Sequence, residues 1–163
     1  VRGKGMVPVL KTKDAEPHAP LVYARRFRDL VVYQKSRAVA REIFGLSKSF
    51  PREETFSLTD QIRRSSRAIG AQITEAWAER RYPKHFVSKL TDADGEQQET
   101  QHWVESCLDS GYLRAEQITP LIEKLTEIGK MLGSMIAKAG TFCGVDDNTV
   151  REFLAEYSTG TDN

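Results

Sequence analysis

The sequence predicts an all-α protein, an antiparallel up-down four-helix bundle with room for a short extra helix at the C-terminus. Three observations carry that expectation. Four stretches between about residues 29 and 138 place apolar side chains three and four apart, the spacing of helices packed side by side. Turn residues separate them, among them Pro51, Pro83 and Gly111. The length, 163 residues, suits one well-buried domain and is short for two.

The first helix is expected from Asp29, as N-cap, to about Lys48, with Val32, Ser36, Val39, Ile43, Leu46 and Phe50 in its seam. Pro51 ends it, because the residue before a proline avoids helical backbone, and residues 53–57 form the turn. The second helix runs from about Leu58 to Arg80 through Leu58, Ile62, Ser65, Ile69, Ile73 and Ala76. Pro83 suits the first turn of the third. There Phe86, Leu90, Ala93, Gln97, Thr100, Val104 and Cys107 continue the rhythm to Gly111, a natural residue just past a helix end. The fourth takes Ile118, Ile122, Leu125, Leu132 and Ile136 and stops near Gly140. Gly129-x-x-x-Gly133 within it reads as close helix approach, and Met131 and Met135 as core or interface filling. Residues 1–26, with Gly3, Gly5, Pro8, Pro17 and Pro20, read as a disordered leader. The bundle itself is expected over 27–140. Residues 141–163 read as a tail, partly helical around Val150, Phe153 and Leu154. Val1 with Met6 close behind fits a non-standard start codon or an over-long gene boundary.

No apolar run approaches the ~20 residues of a membrane span, and no apolar stretch follows the basic N-terminus before Lys11, as a signal peptide requires. A cytoplasmic protein with two reduced thiols, Cys107 and Cys143, is expected. Net charge is +1, but residues 1–89 carry 19 Lys and Arg against 9 Asp and Glu, a net of +10, and residues 90–163 carry 5 against 14, a net of −9. The division fits a basic surface for a polyanion, or an acidic surface meeting the basic one on a neighbouring subunit. It equally fits opposite charges cancelling across the folded bundle.

Catalytic patterns are sparse. Asp92, Glu96, Glu99 and Trp103 share one face of the third helix, and Glu99 with His102 makes a Glu-x-x-His pair. Di-iron bundles need two such pairs, and Tyr82 stands where a glutamate would precede His85. No metal, no cofactor and no catalytic residues are expected. Gly-rich phosphate loops, nucleophile elbows and Cys-His pairs of apt spacing do not occur, so the chain is read as a non-enzyme. Basic residues offer a different chemistry. Arg63, Arg64 and Arg67 lie opposite the second helix's seam, beside Ala71, Thr74 and Ala78. Arg37, Arg41 and Lys48 form a stripe on the first helix, with Arg25, Arg26 and Arg28 ahead of it. Arg80, Arg81, Lys84 and Lys89 cluster near Trp77, Tyr82 and Phe86. Basic groups among aromatics suit single-stranded nucleic acid, through phosphate pairing and base stacking. A solvated face over ordinary core aromatics reads the same way in sequence.

A series of motifs runs through these elements: Phe27-Arg-Asp-Leu-Val-Val-Tyr-Gln-Lys35, Lys48-Ser-Phe-Pro51, Leu58-Thr-Asp-Gln-Ile-Arg-Arg-Ser-Ser66 with Glu75, Ser88-Lys-Leu-Thr-Asp-Ala-Asp-Gly-Glu-Gln-Gln-Glu-Thr-Gln-His-Trp103, and Glu127-Ile-Gly-Lys-Met-Leu-Gly-Ser-Met135. In this order, over about residues 27–143, the chain resembles the bacterial four-helix-bundle proteins encoded in intervening sequences of large-subunit ribosomal RNA genes, once labelled a ribosomal protein. The resemblance implies a ring-like homopentamer. It also implies kinship with the accessory variability determinant of diversity-generating retroelements, a basic pentameric barrel that binds a reverse transcriptase and nucleic acid. It brings no catalytic residues. This chain departs from the retroelement branch in its near-neutral total charge and acidic third helix. The expected function is therefore a non-catalytic, homo-oligomeric adaptor or accessory protein for RNA, single-stranded DNA or a reverse transcriptase. Asp92, Glu96, Glu99 and Trp103 would form its oligomer interface. The alternative is a protein-only oligomeric interaction module.

Overall fold

The computed structural model describes residues 7–8, 23–146, 148, 150–152 and 155. Four long helices form the bundle: α1 (Val31–Leu46), α2 (Asp60–Glu79), α3 (Pro83–Asp109) and α4 (Ala115–Ala137). A short α5 (Ala139–Cys143) follows. Each long helix packs against its neighbours in sequence, and α1 closes the bundle against α4. Short connections, such as residues 80–82 between α2 and α3, force successive helices to run antiparallel. Val7–Pro8 and Tyr23–Ala24 pair as a two-residue antiparallel ladder outside the bundle. Most of the expected leader, and Phe153 and Leu154 of the tail, lie outside the described residues. Backbone at Asn148, Val150, Arg151, Glu152 and Ala155 is helical, and Val150 is buried.

The seams expected of the first three helices are the core. Val32, Val39, Ile43, Ile62, Ile69, Ile73, Phe86, Leu90 and Val104 are each 2% exposed or less. Ser65 and Thr100, both buried, join α2 to α3 through a hydroxyl–hydroxyl contact of 3.0 Å. Each hydroxyl also reaches a carbonyl of its own helix, Thr100 that of Glu96 at 2.7 Å and Ser65 that of Ile62 at 3.4 Å, so neither is left unpaired away from water. In α4 the stripe is rotated from expectation. Leu121 and Ile128 are fully buried, while Ile122 and Ile136 are only half-buried.

Helix ends differ more. Asp29 does not cap α1; its N-cap is Leu30, with no side-chain cap. Asp29 instead ends a 3-10 turn, Phe27–Asp29. Its Oδ2 accepts the backbone N–H groups of Arg25 and Arg26, each at 3.0 Å. These donors hold its carboxyl below the usual range. α1 ends at Leu46 and passes into a 3-10 turn at Ser47–Ser49. The expected turn at 53–57 is instead a 3-10 turn, Arg52–Glu54, and a π-type turn, Thr55–Thr59, leading directly into α2. Lys138 leaves helical backbone at φ −112°, ψ 28°, separating α4 from α5. Pro120 sits within α4 on an exposed turn, where only one backbone donor is lost. Two expectations hold in detail: Pro83 occupies the first turn of α3, and Gly111 follows its C-cap at φ 73°.

The two glycines of α4 differ. A Cβ on Gly129 would stand 2.3 Å from Nε2 of the buried Gln97 on α3, so this is a true close approach; one on Gly133 would meet nothing within 4 Å. Gly133→Ala should therefore stabilise by about 0.5–1 kcal/mol, by helix propensity alone. Gly129→Ala should gain less than Gly133→Ala, because the Gln97 amide must first turn aside; urea titration of the two variants checks the difference. Leu125, fully buried, should cost about 2–5 kcal/mol on truncation to Ala. Cys107 is fully buried, and burial pushes its thiol up to about 11. Iodoacetamide at neutral pH should then leave Cys107 intact in native protein and alkylate it in urea, as read by peptide mass spectrometry.

Candidate nucleic-acid interface

The rotation that buries Val39 and Ile43 turns Arg37, Arg41 and Phe44 of α1, with Lys48 in the turn after it, outward along one stripe. On α2, burial of Ile62 and Ile69 leaves Arg64 and Arg67 exposed and Arg63 half-buried at the α1 boundary. The two flanks meet around Phe44, whose ring is 37% exposed. The guanidinium carbons of Arg63 and Arg67 lie 4.8 and 5.4 Å from its centroid, and Lys48 Nζ 5.0 Å. Arg63 Nε donates to Ser47 Oγ at 2.7 Å, and that hydroxyl donates to the Phe44 carbonyl at 3.1 Å. Beside this cluster runs a groove of about 280 Å³ between α1 and α2. Arg37 and Arg67 flank it, Tyr33 stands at one end, and Gly70 and Ala71 keep it open. Among the described residues, none of Arg37, Arg41, Lys48, Arg63 and Arg67 pairs with a carboxylate within 4 Å.

The charge division resolves into two parts. Lys35 pairs with Glu127 at 2.9 Å and Lys124 with Glu42 at 2.6 Å, both between α1 and α4. Lys89 pairs with Glu75 at 2.7 Å between α2 and α3. Cancellation across the bundle therefore operates at these three places, and Lys89 is engaged within the chain. Arg64 pairs along its own helix with Asp60, at 3.9 Å. At the second hinge the aromatics are not stacking platforms. Trp77 and Phe86 are buried in the core, and only Tyr82 is exposed. Arg80 Nη1 donates to the Trp77 carbonyl at 2.7 Å and its guanidinium covers the Trp77 ring at 4.3 Å, so Arg80 caps the end of α2. Arg81 and Lys84 are exposed.

The acidic face of α3 borders a second groove, of about 420 Å³, lined by Arg64, Arg67, Glu96 and Glu99. Among the described residues no ion pair within 4 Å crosses it. Partial burial, then Glu99 and Asp92, raise the Glu96 carboxyl above the usual glutamate value, and Arg64 opposes them. Trp103, half-buried, donates from Nε1 to Glu99 at 3.0 Å and packs on His102 with ring centroids 4.8 Å apart. His85 faces Glu79 at 3.4 Å. Among the described residues no three His, Cys, Asp or Glu side chains gather to hold a metal ion, and no helix is long and apolar enough to cross a membrane.

Sequence reading placed the arginines but missed Phe44. The signal was present: Phe44 lies three and four residues from Arg41 and Lys48, in their stripe and off the apolar seam.

Fold and surface together define a class: a small antiparallel helical bundle whose distinctive exposed chemistry is an uncompensated basic flank. Within that class, the family model for the 23S rRNA-intervening sequence protein matches residues 28–134, and the chain belongs to this family. A solved structure of a protein with unknown function from the S23 ribosomal protein family of Bacteroides thetaiotaomicron is 36% identical, with TM-score 0.60. That similarity covers 65% of this chain and 95% of the other. Neither description names a reaction. No curated protein matches the chain.

Because the folded-state value of Glu96 is raised, its protonated form favours folding. That stability is present below the usual glutamate value of 4.5 and is lost as pH rises through the higher folded value. Glu96→Gln should accordingly melt above the parent at pH 7 when both are single chains. The gap should close as pH falls toward 4, in paired thermal scans.

Proposed function

We propose that this protein is a non-catalytic, homo-oligomeric accessory protein that associates with RNA or single-stranded DNA through the α1/α2 flank. The observation that carries the reading is the five exposed or half-buried cations, Arg37, Arg41, Lys48, Arg63 and Arg67, held on one flank without carboxylate partners, while Lys35, Lys89 and Lys124 find theirs. Like charges held together without counter-ions attract a polyanion, and the counter-ions it releases add to affinity. The groove beside them, of about 280 Å³ with Ala40, Gly70 and Ala71 in its lining, has room for part of one phosphodiester strand and none for a duplex. Nothing in the chain's geometry selects a reverse transcriptase as partner; that association rests on resemblance alone.

Self-association is supported by the acidic face of α3, across the groove from Arg64 and Arg67. Asp92, Glu96 and Glu99 lack cation partners within 4 Å among the described residues. A basic surface on a second copy would offset the repulsion from Glu99 and Asp92 that adds to burial in raising Glu96. A head-to-tail contact of unlike faces is the kind a cyclic homopentamer requires, and it closes into a ring when the rotation between copies is one fifth of a circle. The same observation supports the second reading, a protein-only module in which Arg63, Arg64 and Arg67 are consumed by the neighbour's acids.

One triple substitution separates the two. Under the first reading, Arg63, Arg64 and Arg67 all changed to Glu abolishes retention of single-stranded RNA in a filter-binding titration and leaves the mass by light scattering unchanged. Under the second, the oligomer dissociates, and the parent protein retains no RNA at any salt. The parent's affinity should fall about 50-fold for a fourfold rise in salt if about four phosphates are contacted. A salt-independent signal, or none, would remove the nucleic-acid reading.

A further inference from the structure

We infer that Phe44 is a positioning residue that gathers Arg63, Arg67 and Lys48 into a seat for one internal phosphate of a single-stranded nucleic acid. The inference rests on the reading above and assigns that reading a specific site. The three cations come from two helices and converge on one ring, all within 5.4 Å of its centroid. Arg63 and Arg67 are one turn apart on α2, and Lys48 follows Phe44 by about one turn, in the 3-10 turn that continues α1, so both pairs point the same way. Without the ring, three like charges this close would splay into solvent. The electron-rich ring face attracts each cation and holds them together without neutralising any. Ser47 fixes the Arg63 end further, since its Oγ takes Nε and leaves the terminal guanidinium nitrogens for an outside acceptor. The neighbouring carboxylates are committed elsewhere: Glu42 to Lys124, Asp60 to Arg64, Glu54 to Tyr112 and Ser57. A phosphodiester is small and singly charged, carries several acceptor oxygens, and fits such a seat; the adjacent groove between Arg37 and Arg67 gives the strand a path onward.

Phe44 carries no charge, which makes its substitution diagnostic. The full chain is titrated with a fluorescein-labelled 12-nucleotide oligouridylate by anisotropy over a salt series, and with an abasic strand of the same length. Phe44→Leu should weaken binding about tenfold to both strands, with an unchanged melting midpoint. It should also flatten the dependence of log affinity on log salt by about 0.7 or more, the share of one phosphate on a single strand. Phe44→Trp, whose ring attracts cations better, should restore both affinity and slope. A Phe44→Leu protein with parental affinity and slope overturns this inference and leaves the proposed function standing. A loss seen only on the oligouridylate, with the slope unchanged, also overturns it, because the ring would then be stacking a base. A parent protein that binds neither strand removes both this inference and the reading beneath it.

Discussion

The constraint on which the rest depends is the close approach of α1 and α2 at Gly70. A Cβ there would stand 3.2 Å from Ser36 Oγ and 3.6 Å from the Tyr33 ring. Ser36 is itself folded back on the Tyr33 carbonyl at 2.8 Å. With no side chain between them, the two backbones settle at one separation and one register. That register carries Arg67 and Arg63, one and two turns before Gly70, toward Phe44 and Ser47 on the antiparallel α1. The apolar seams set how each helix is rotated; the contact at Gly70 sets how far one slides along the other. Only both together convert two basic stripes into one cluster.

The same rotation explains why the charge asymmetry of the two halves is neither fully cancelled nor fully exposed. α1 touches α4, so Lys35 and Glu42 find opposite charges on Glu127 and Lys124 across that seam. These pairs are exposed and contribute little stability. Their consequence is orientation: they fix which carboxylates face which helix. α1's other flank faces the end of α2 that bears Arg63 and Arg67; the carboxylates Asp60 and Glu75 of α2 pair with Arg64 and Lys89 instead, so this flank stays uncancelled. The acids of α3 lie beyond α2, across a groove rather than in contact. Separation into faces follows from the order of helices around the bundle.

The fold was legible because a helical seam is local: residues three and four apart meet the core whatever the partner. For this reason Val32 to Ile43, Ile62 to Ile73 and Phe86 to Cys107 could be read from spacing alone. Helix ends were less legible. Leu30, Glu54 and Thr59 precede helical segments without any side-chain cap, so composition had nothing to report, and Asp29 drew attention to a turn one residue too early. The α4 stripe slipped because Ile122 and Ile136 are as apolar as Leu121 and Ile128; only α3's position distinguishes them. Of the candidate site, the exposed arginines were visible as residues off the seam. The Phe44 cluster was not, because it exists only through the register between two helices, and spacing within one helix says nothing about sliding against another.

Two arginine–aromatic contacts in this molecule look alike and differ in consequence. Arg80 covers Trp77 at 4.3 Å, but its guanidinium also donates to a backbone carbonyl at the end of α2, and the ring beneath is core. Its charge meets the negative pole of its own helix, a favourable interaction that completes a structural cap. Arg63 and Arg67 sit over a ring that is itself exposed, at the amino-terminal half of α2, where the helix dipole does not favour a cation. They are also one turn apart and repel each other by a few tenths of a kcal/mol. Contact with Phe44 returns about 0.5–1 kcal/mol per cation at exposed sites, enough to hold them in place and too little to satisfy their charge. A cation held by a carbonyl at a helix end is complete within the chain. A cation held by a ring face, against repulsion and against the dipole, keeps its hydrogen-bond donors for an anion from outside.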